Sequence, residues 1–233
     1  MYIMEREVEC SDIGSSGEIR NSAVLDLLQD CAIRHLDTHP VMAPFFKEEN
    51  SCMFLVSRQL RILRRPRYHE HITVKTWTCE LKRMYGFRNT MIYGADGEAL
   101  VMSYESGAFM DIATQRPIKA PQELIEKVNI YPKADMEYAS RKIAVPKGST
   151  EIYPDITILK CFIDMNEHVN NARYLDITDE YISDTTAVKE IRVEYKAPIK
   201  LDSRIHAEVV RADNSVYVSL VGDKVYCIVQ YIV

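Results

Sequence analysis

This sequence predicts an α+β chain made of two copies of one unit, each a helix followed by a run of antiparallel strands. Three observations carry that reading. An amphipathic segment followed by four strand-like segments occurs twice, and tight-turn signals rather than helices separate the strands. The length of 233 residues is long for one ordinary domain and short for two unrelated ones, so two fused small units fit.

The first helix spans 22–36, where Val24, Leu27, Leu28, Cys31 and His35 recur at three-to-four spacing on one face. Strands follow over 53–63, 71–80, 87–93 and 98–110, and Asp96-Gly97 between the last two is a tight-hairpin signal. The second copy places its helix over 171–182 and its strands over 190–195, 204–211, 215–221 and 224–233. Asp213-Asn214 and Gly222-Asp223 supply its turns. Residues 21–25 lie over 170–174 in the repeat, and Pro66 with Glu70 four later lies over Pro198 with Asp202 four later. The stretch 131–150 is mixed polar with two prolines and reads as the linker. It divides the chain into a unit at 1–130 and a unit at 151–233. Each unit alone leaves one sheet face bare, so fusing two copies replaces a dimer of single copies. A homodimer of the whole chain is left open.

Hydrophobic content of 47% against 27% charge is that of a chain able to bury a sizeable core. The net charge of −5 argues against a nucleic-acid binder, which needs a dominant basic surface. The six cysteines, at 10, 31, 52, 79, 161 and 227, show neither C-x-x-C nor zinc spacing and read as reduced thiols, Cys161 and Cys227 among them packed in the core. The first ten residues carry acidic charges where a signal peptide carries a basic segment, and no apolar run reaches the ~20 residues that span a bilayer. A cytoplasmic protein with no membrane span is expected.

The chemistry concentrates in one stretch, 164–171. In an extended backbone Asp164, Asn166 and His168 are spaced by two and point the same way, whereas a helix would throw Asn166 to the other side, so an extended or loop-like backbone is needed for the three to meet. Asn170 and Asn171 are good N-caps and mark the start of the second helix. A carboxylate, an amide and an imidazole beside such a donor end are what attack on a carbonyl requires.

Asp-x-Asn-x-His-Val-Asn-Asn-x-x-Tyr, here 164–174, resembles the signature of the acyl-(acyl-carrier-protein) thioesterases, which carry two hot-dog units in one chain. The segments 21–35, 54–63 and 111–121 are similar to that family's first helix, the strand after it and the close of the first unit, in the family's order. The resemblance implies a tandem hot-dog fold, hydrolysis of acyl thioesters held on acyl carrier protein, and Asp164, Asn166 and His168 as the catalytic set. His168 would act as general base or Asp164 as nucleophile; the sequence does not choose. One position departs from the family. Its glutamate in a Tyr-x-x-Glu context is here Pro198, after Tyr195-Lys196-Ala197, with Glu194 and Asp202 flanking the gap.

Arginines are dense around 58–67, and Arg64, Arg65 and Arg67 are the candidate docking patch for the acidic carrier, which the chain's net charge would otherwise repel. His35 and His39 lie four apart, but Thr38 and Pro40 end the helix there, so no metal site is assigned, and no cofactor is called for. Met53, Trp77, Met91 and Met102 are candidate walls of an acyl tunnel. Two other functions stay open: an acyl-coenzyme A thioesterase, and a non-catalytic module that binds acyl carriers.

Overall fold

Strands of alternating or continuous apolar residues join into a single ten-stranded antiparallel sheet in the computed structural model, which describes residues 1–233. The strands are β1 (Tyr2–Glu7), β2 (Ser51–Ile62), β3 (His71–Leu81), β4 (Tyr85–Tyr93), β5 (Ala99–Asp111), β6 (Thr150–Ile152), β7 (Glu190–Tyr195), β8 (His206–Ala212), β9 (Ser215–Val221) and β10 (Val225–Ile232). Four helices accompany them: α1 (Asn21–Thr38), α2 (Met42–Glu48), α3 (Gln122–Lys127) and α4 (Arg173–Thr178).

The spatial order β1-β3-β4-β5-β2-β7-β10-β9-β8-β6 is symmetric about its middle. Each strand of the first half has a counterpart at the mirrored place in the second, and β2 meets β7 at the centre, with Ser57 opposite Glu194 and Arg61 opposite Glu190. Each half is a helix embraced by its antiparallel sheet, the hot-dog arrangement. Because the halves pair edge to edge, neither leaves its central strand open.

The helix α1 buries Val24, Leu27, Leu28 and Cys31 against β1, β3 and β4, and Leu28 is fully enclosed. Leu28→Ala would cost roughly 2–5 kcal/mol at such a site. The main hydrophobic core runs without a break from Val8 and Leu28 in the first half to Leu175 and Val229 in the second. Polar contacts between the helices repeat the symmetry. Asn21 Nδ2 donates to the Asp179 carboxylate at 3.1 Å, and Asn171 Nδ2 donates to Gln29 Oε1 at 3.2 Å.

Those contacts correct the register of the repeat by one residue. Asn21 corresponds to Asn171, an offset of 150, where the sequence match laid Asn21 over Asn170. The loops before the two helices confirm it bond by bond. Gly14 N–H donates to the Glu18 carbonyl and Asp164 N–H to the His168 carbonyl, each at 2.8 Å; Gly17 N–H donates to Gly14 and Glu167 N–H to Asp164, each at 3.0 Å.

The stretch 131–150 is bound to the sheet. It crosses the outer face of both halves: Trp77 Nε1 donates to the Pro132 carbonyl at 2.8 Å, the Gln59 amide takes the Glu137 carbonyl and the Ala139 N–H, and Glu194 Oε2 accepts from Ile143 N–H at 2.9 Å. The sequence reading passes over β1, β6, α2 and α3. The second helix is also shorter than the predicted 171–182, because only Arg173–Thr178 is α-helical before a 3₁₀ turn at Asp179–Tyr181.

Candidate functional site

Of the two backbones the spacing allows, extended or loop-like, the segment 164–168 takes the second: it is a tight turn closed by the Ile163–Val169 bridge. Asp164 makes the turn. Its Oδ1 accepts the backbone N–H of Asn166 at 2.8 Å and that of His168 at 3.4 Å, an Asx-type arrangement that folds the chain back on itself. Glu167 takes a positive φ of 60° to complete it, at the place where the first unit has Gly17 at 79°. A turn, not strand alternation, therefore brings all three predicted residues to the lining of one cavity.

Their environments differ. Met165 at the tip is 96% exposed, and Asn166 is exposed with no hydrogen bond from its amide to the protein. His168 is 8% exposed, its ring meeting the Phe54 ring edge-on with 6.4 Å between centroids. Its Nε2 is buried without a hydrogen-bond partner. Burial pushes the imidazole pKa below 6.5, and the Asp164 charge partly opposes that, so the ring is neutral at pH 7 with a nitrogen ready to take a proton. Asn170 Oδ1 caps the following turn by accepting Ala172 N–H at 2.9 Å. With so short a helix behind it, the site owes little to a helix dipole.

This turn forms one wall of a cavity of about 630 Å³ between α1 and the inner face of the first unit's sheet. Its lining is mostly apolar, including Ile33, Leu36, Met42, Met53 and Ala108, and Tyr195 and Lys196 to Pro198 of the second unit stand beside the turn. Of the proposed walls, Met53 lines the cavity. Trp77, Met91 and Met102 cluster on the opposite face with Tyr131 and Met136 of the linker. Periodicity does not tell two buried faces of one strand apart, so the sequence groups those three with Met53.

At the departure from the family pattern, Pro198 is exposed on the cavity rim, while Val169 N–H donates to the Ile199 carbonyl at 2.8 Å and Ile199 N–H to the Tyr174 hydroxyl at 3.1 Å. Glu194 does not fill the gap, since it is turned to the outer face and holds Ile143 and Lys196. The other carboxylate lining the cavity is Glu105, paired with Arg58 and Arg88.

The cysteines take other positions. Cys31 and Cys227 are buried as expected, and burial pushes the Cys31 thiol up to about 11. Cys161 is exposed rather than packed in the core, because it lies in a 3₁₀ turn at Lys160–Phe162 and not on a strand. His35 is buried against Arg88, and His39 Nδ1 accepts Met42 N–H at 3.2 Å at the start of α2.

Arg64, Arg65 and Arg67 lie in the connection after β2, at the opposite end of that strand from Phe54. Arg64 is bound by Glu70 at 2.6 Å and Glu98 at 2.7 Å. Arg65 donates to the Ile19 carbonyl at 3.1 Å, to Asn21 Oδ1 at 3.0 Å and to the Thr185 carbonyl, tying the two units together. Arg67 is exposed, and its backbone N–H is held by Glu70 at 2.7 Å.

No helix is long and apolar enough to cross a membrane. The family model for the acyl-ACP thioesterase N-terminal domain matches residues 1–128, and that for the C-terminal domain matches 155–220. The chloroplastic palmitoyl-acyl carrier protein thioesterase of Arabidopsis thaliana is 24% identical over 208 residues, covering 82% of this chain and 50% of that protein, so the chain spans about half the length of the curated relatives it matches. Among solved structures, an acyl-ACP thioesterase from Bacteroides thetaiotaomicron superposes with a TM-score of 0.85 at 19% identity, over 99% of this chain and 96% of the other. The 12:0-ACP thioesterase from Umbellularia californica superposes with a TM-score of 0.78 at 15% identity, over 99% and 95%. With both family models matched in order along the tandem hot-dog fold, the chain belongs to the acyl-ACP thioesterase family.

Proposed function

We propose that the chain hydrolyses the thioester of an acyl group carried on acyl carrier protein, releasing a free fatty acid and so ending chain elongation in fatty acid biosynthesis. The observation that carries this reading is the neutral His168, its Nε2 buried and unpartnered at the wall of an apolar cavity of about 630 Å³. In the proposed reaction His168 Nε2 takes a proton from a water molecule whose oxygen attacks the thioester carbon. The carbon–sulfur bond breaks, and the departing sulfur receives the proton from the imidazolium. Asn166 donates to the carbonyl oxygen as it gains charge. Asp164 holds the turn, and its charge supports the imidazolium; with Oδ1 engaged by two backbone N–H groups, it serves better as a positioning group than as a nucleophile.

The carrier is proposed to dock at Arg67, with Arg64 and Arg65 building the connection that presents it. The β2–β7 pairing already supplies within one chain the contact between two units, so a homodimer is not needed for the site. Six unpaired thiols support a reducing compartment, and the cytoplasm is the proposed location.

The test is release of one acyl chain from three handles: acyl carrier protein, coenzyme A and a small thiol. The proposal expects the highest kcat/KM on the carrier and a raised KM for that substrate alone in Arg67→Glu. Equal rates on carrier and coenzyme A would point to an acyl-coenzyme A thioesterase, and binding without release from any handle to a non-catalytic module. If Lys196→Glu raises the carrier KM and Arg67→Glu does not, docking lies at the cavity rim.

A further inference from the structure

One row of side chains in the cavity is foreign to a site for a plain hydrocarbon chain. Arg58 on β2, Glu105 on β5 and Arg88 on β4 are direct cross-strand partners, and all three line the cavity. Their side chains are 3%, 9% and 9% exposed, respectively. Arginine stays charged in proteins, so two guanidiniums face one carboxylate. Arg88 Nη1 lies 2.7 Å from His35 Nδ1 and 3.0 Å from Thr76 Oγ1, which makes His35 an acceptor and therefore neutral. Burial and the Arg88 charge push the His35 imidazole down to about 3. The buried row thus carries one net positive charge within a protein whose overall charge is −5.

The donors are uneven as well. Arg88 has Glu105 at 3.4 Å, His35 and Thr76 as acceptors. Arg58 meets Glu105 through Nη2, while its Nε and Nη1 are buried with no acceptor. Two orphaned donors on a buried cation are costly and are rarely retained without use. The sheet does not need them: the next row along the same strands, Leu60, Ser103 and Thr90, pairs without any charge.

We propose that this row is a recognition site for a carboxylate at the far end of the acyl chain, received by Nε and Nη1 of Arg58. The inference rests on the reading that the thioester lies at His168. Arg58 is four residues along β2 from Phe54, but a bulge between Leu55 and Ser57 takes up one of them: Phe54 pairs with Ala108 and Arg58 with Glu105, three residues apart on β5, so the gap is roughly 10 Å at 3.3 Å per residue, and the Arg58 side chain shortens it. With about 1.3 Å of advance per carbon of an extended chain, the span suits a chain of about six to eight carbons.

Calorimetric binding of uncleavable acyl ethanolamides to the whole chain separates the possibilities, because the amide stands in for the thioester and only the far end varies. Probes of about four to about ten carbons, a range centred on that span, end in methyl, hydroxyl or carboxylate. The expected result is about tenfold tighter binding of the carboxylate-ended probe than of the methyl-ended one, greatest near the middle of the series. Arg58→Met should abolish the difference and Arg58→Lys should keep part of it. Equal binding of all three ends at every length in the unmutated protein overturns the proposal, as does a hydroxyl-ended probe matching the carboxylate, or an Arg58→Met variant that keeps the preference. If Arg58→Met does not fold, the comparison in the unmutated protein decides. Hydrolysis stands apart: preference without release of any acyl thioester sinks the proposed function and leaves this site, and release without preference does the reverse.

Discussion

Replacing His168 by Phe separates a catalytic histidine from a structural one, because the two roles predict opposite changes in stability. The imidazole is 8% exposed with Nε2 unpartnered, so the fold carries a desolvated polar atom at a cost of roughly 1–3 kcal/mol. A phenyl ring keeps the edge-on contact with Phe54, worth about 0.5–1.5 kcal/mol, and removes the orphaned nitrogen. Some crowding from the larger ring offsets part of the gain. A net stabilisation of about 1 kcal/mol is expected, a rise of roughly 2–4 °C in Tm for a chain of this size. Turnover should fall by about 10²- to 10⁴-fold, or roughly 3–5 kcal/mol of barrier. Thermal melts and release of acyl chains from acyl carrier protein measure both on one preparation. A variant that melts several degrees lower and keeps most of its rate would show that His168 serves the fold, and the proposed mechanism would fail.

Three further changes test the turn and its surroundings. Asp164→Asn keeps an oxygen to accept the Asn166 and His168 N–H groups but removes the charge that raises the His168 pKa, so the acid limb of kcat/KM should move to lower pH; a limb that stays put or rises would remove Asp164 from any action on the ring. Glu167→Gly should stabilise the chain by about 1 kcal/mol in denaturant melts, since a side chain at φ 60° is strained and the matching position is Gly17; a loss of stability would mean that the Glu167 side chain itself is needed. Asp179 has its pKa raised from 3.8 to about 6, chiefly by burial against the opposing bonds from Tyr231 and Asn21. The protonated form suits the fold, so its stabilisation is full below pH ~4 and is lost as pH rises through about 6, roughly 3 kcal/mol in all. Urea melts from acid to neutral pH should show this decline in the unmutated protein and not in Asp179→Asn; parallel curves would refute it.

The helix-then-strands repeat is legible in the sequence because α1 and the long strands carry strong periodicity, and Asp96-Gly97 marks its hairpin. Elements at the edges are harder. In β1, Tyr2, Met4 and Arg6 alternate with exposed residues, but a charged six-residue strand gives a weak signal next to the twelve residues of β2. The motif residues are legible as a cluster and their backbone is not, since the Asx-type bonds of Asp164 depend on a turn that polar spacing alone does not specify. The row of Arg58, Arg88 and Glu105 is invisible in the sequence for a different reason. Its members are up to 47 positions apart, from Arg58 to Glu105, and only the register of three strands brings them together.

The repeated turn explains how a duplicated fold carries the predicted site in one half. Both turns use the same backbone bonds, so the geometry that brings three side chains together exists twice. At the positions of Asp164, Asn166 and His168 the first unit has Gly14, Ser16 and Glu18. A glycine offers no Asx acceptor, and a carboxylate is by nature a weaker base than an imidazole. The first turn instead serves assembly: Ile19 and Asn21 beside it receive Arg65, whose other donor reaches Thr185 in the second unit. The proposed chemistry of the second half and the cohesion of the first are thus alternative uses of one backbone motif, separated by the side chains that each half places on and beside the turn.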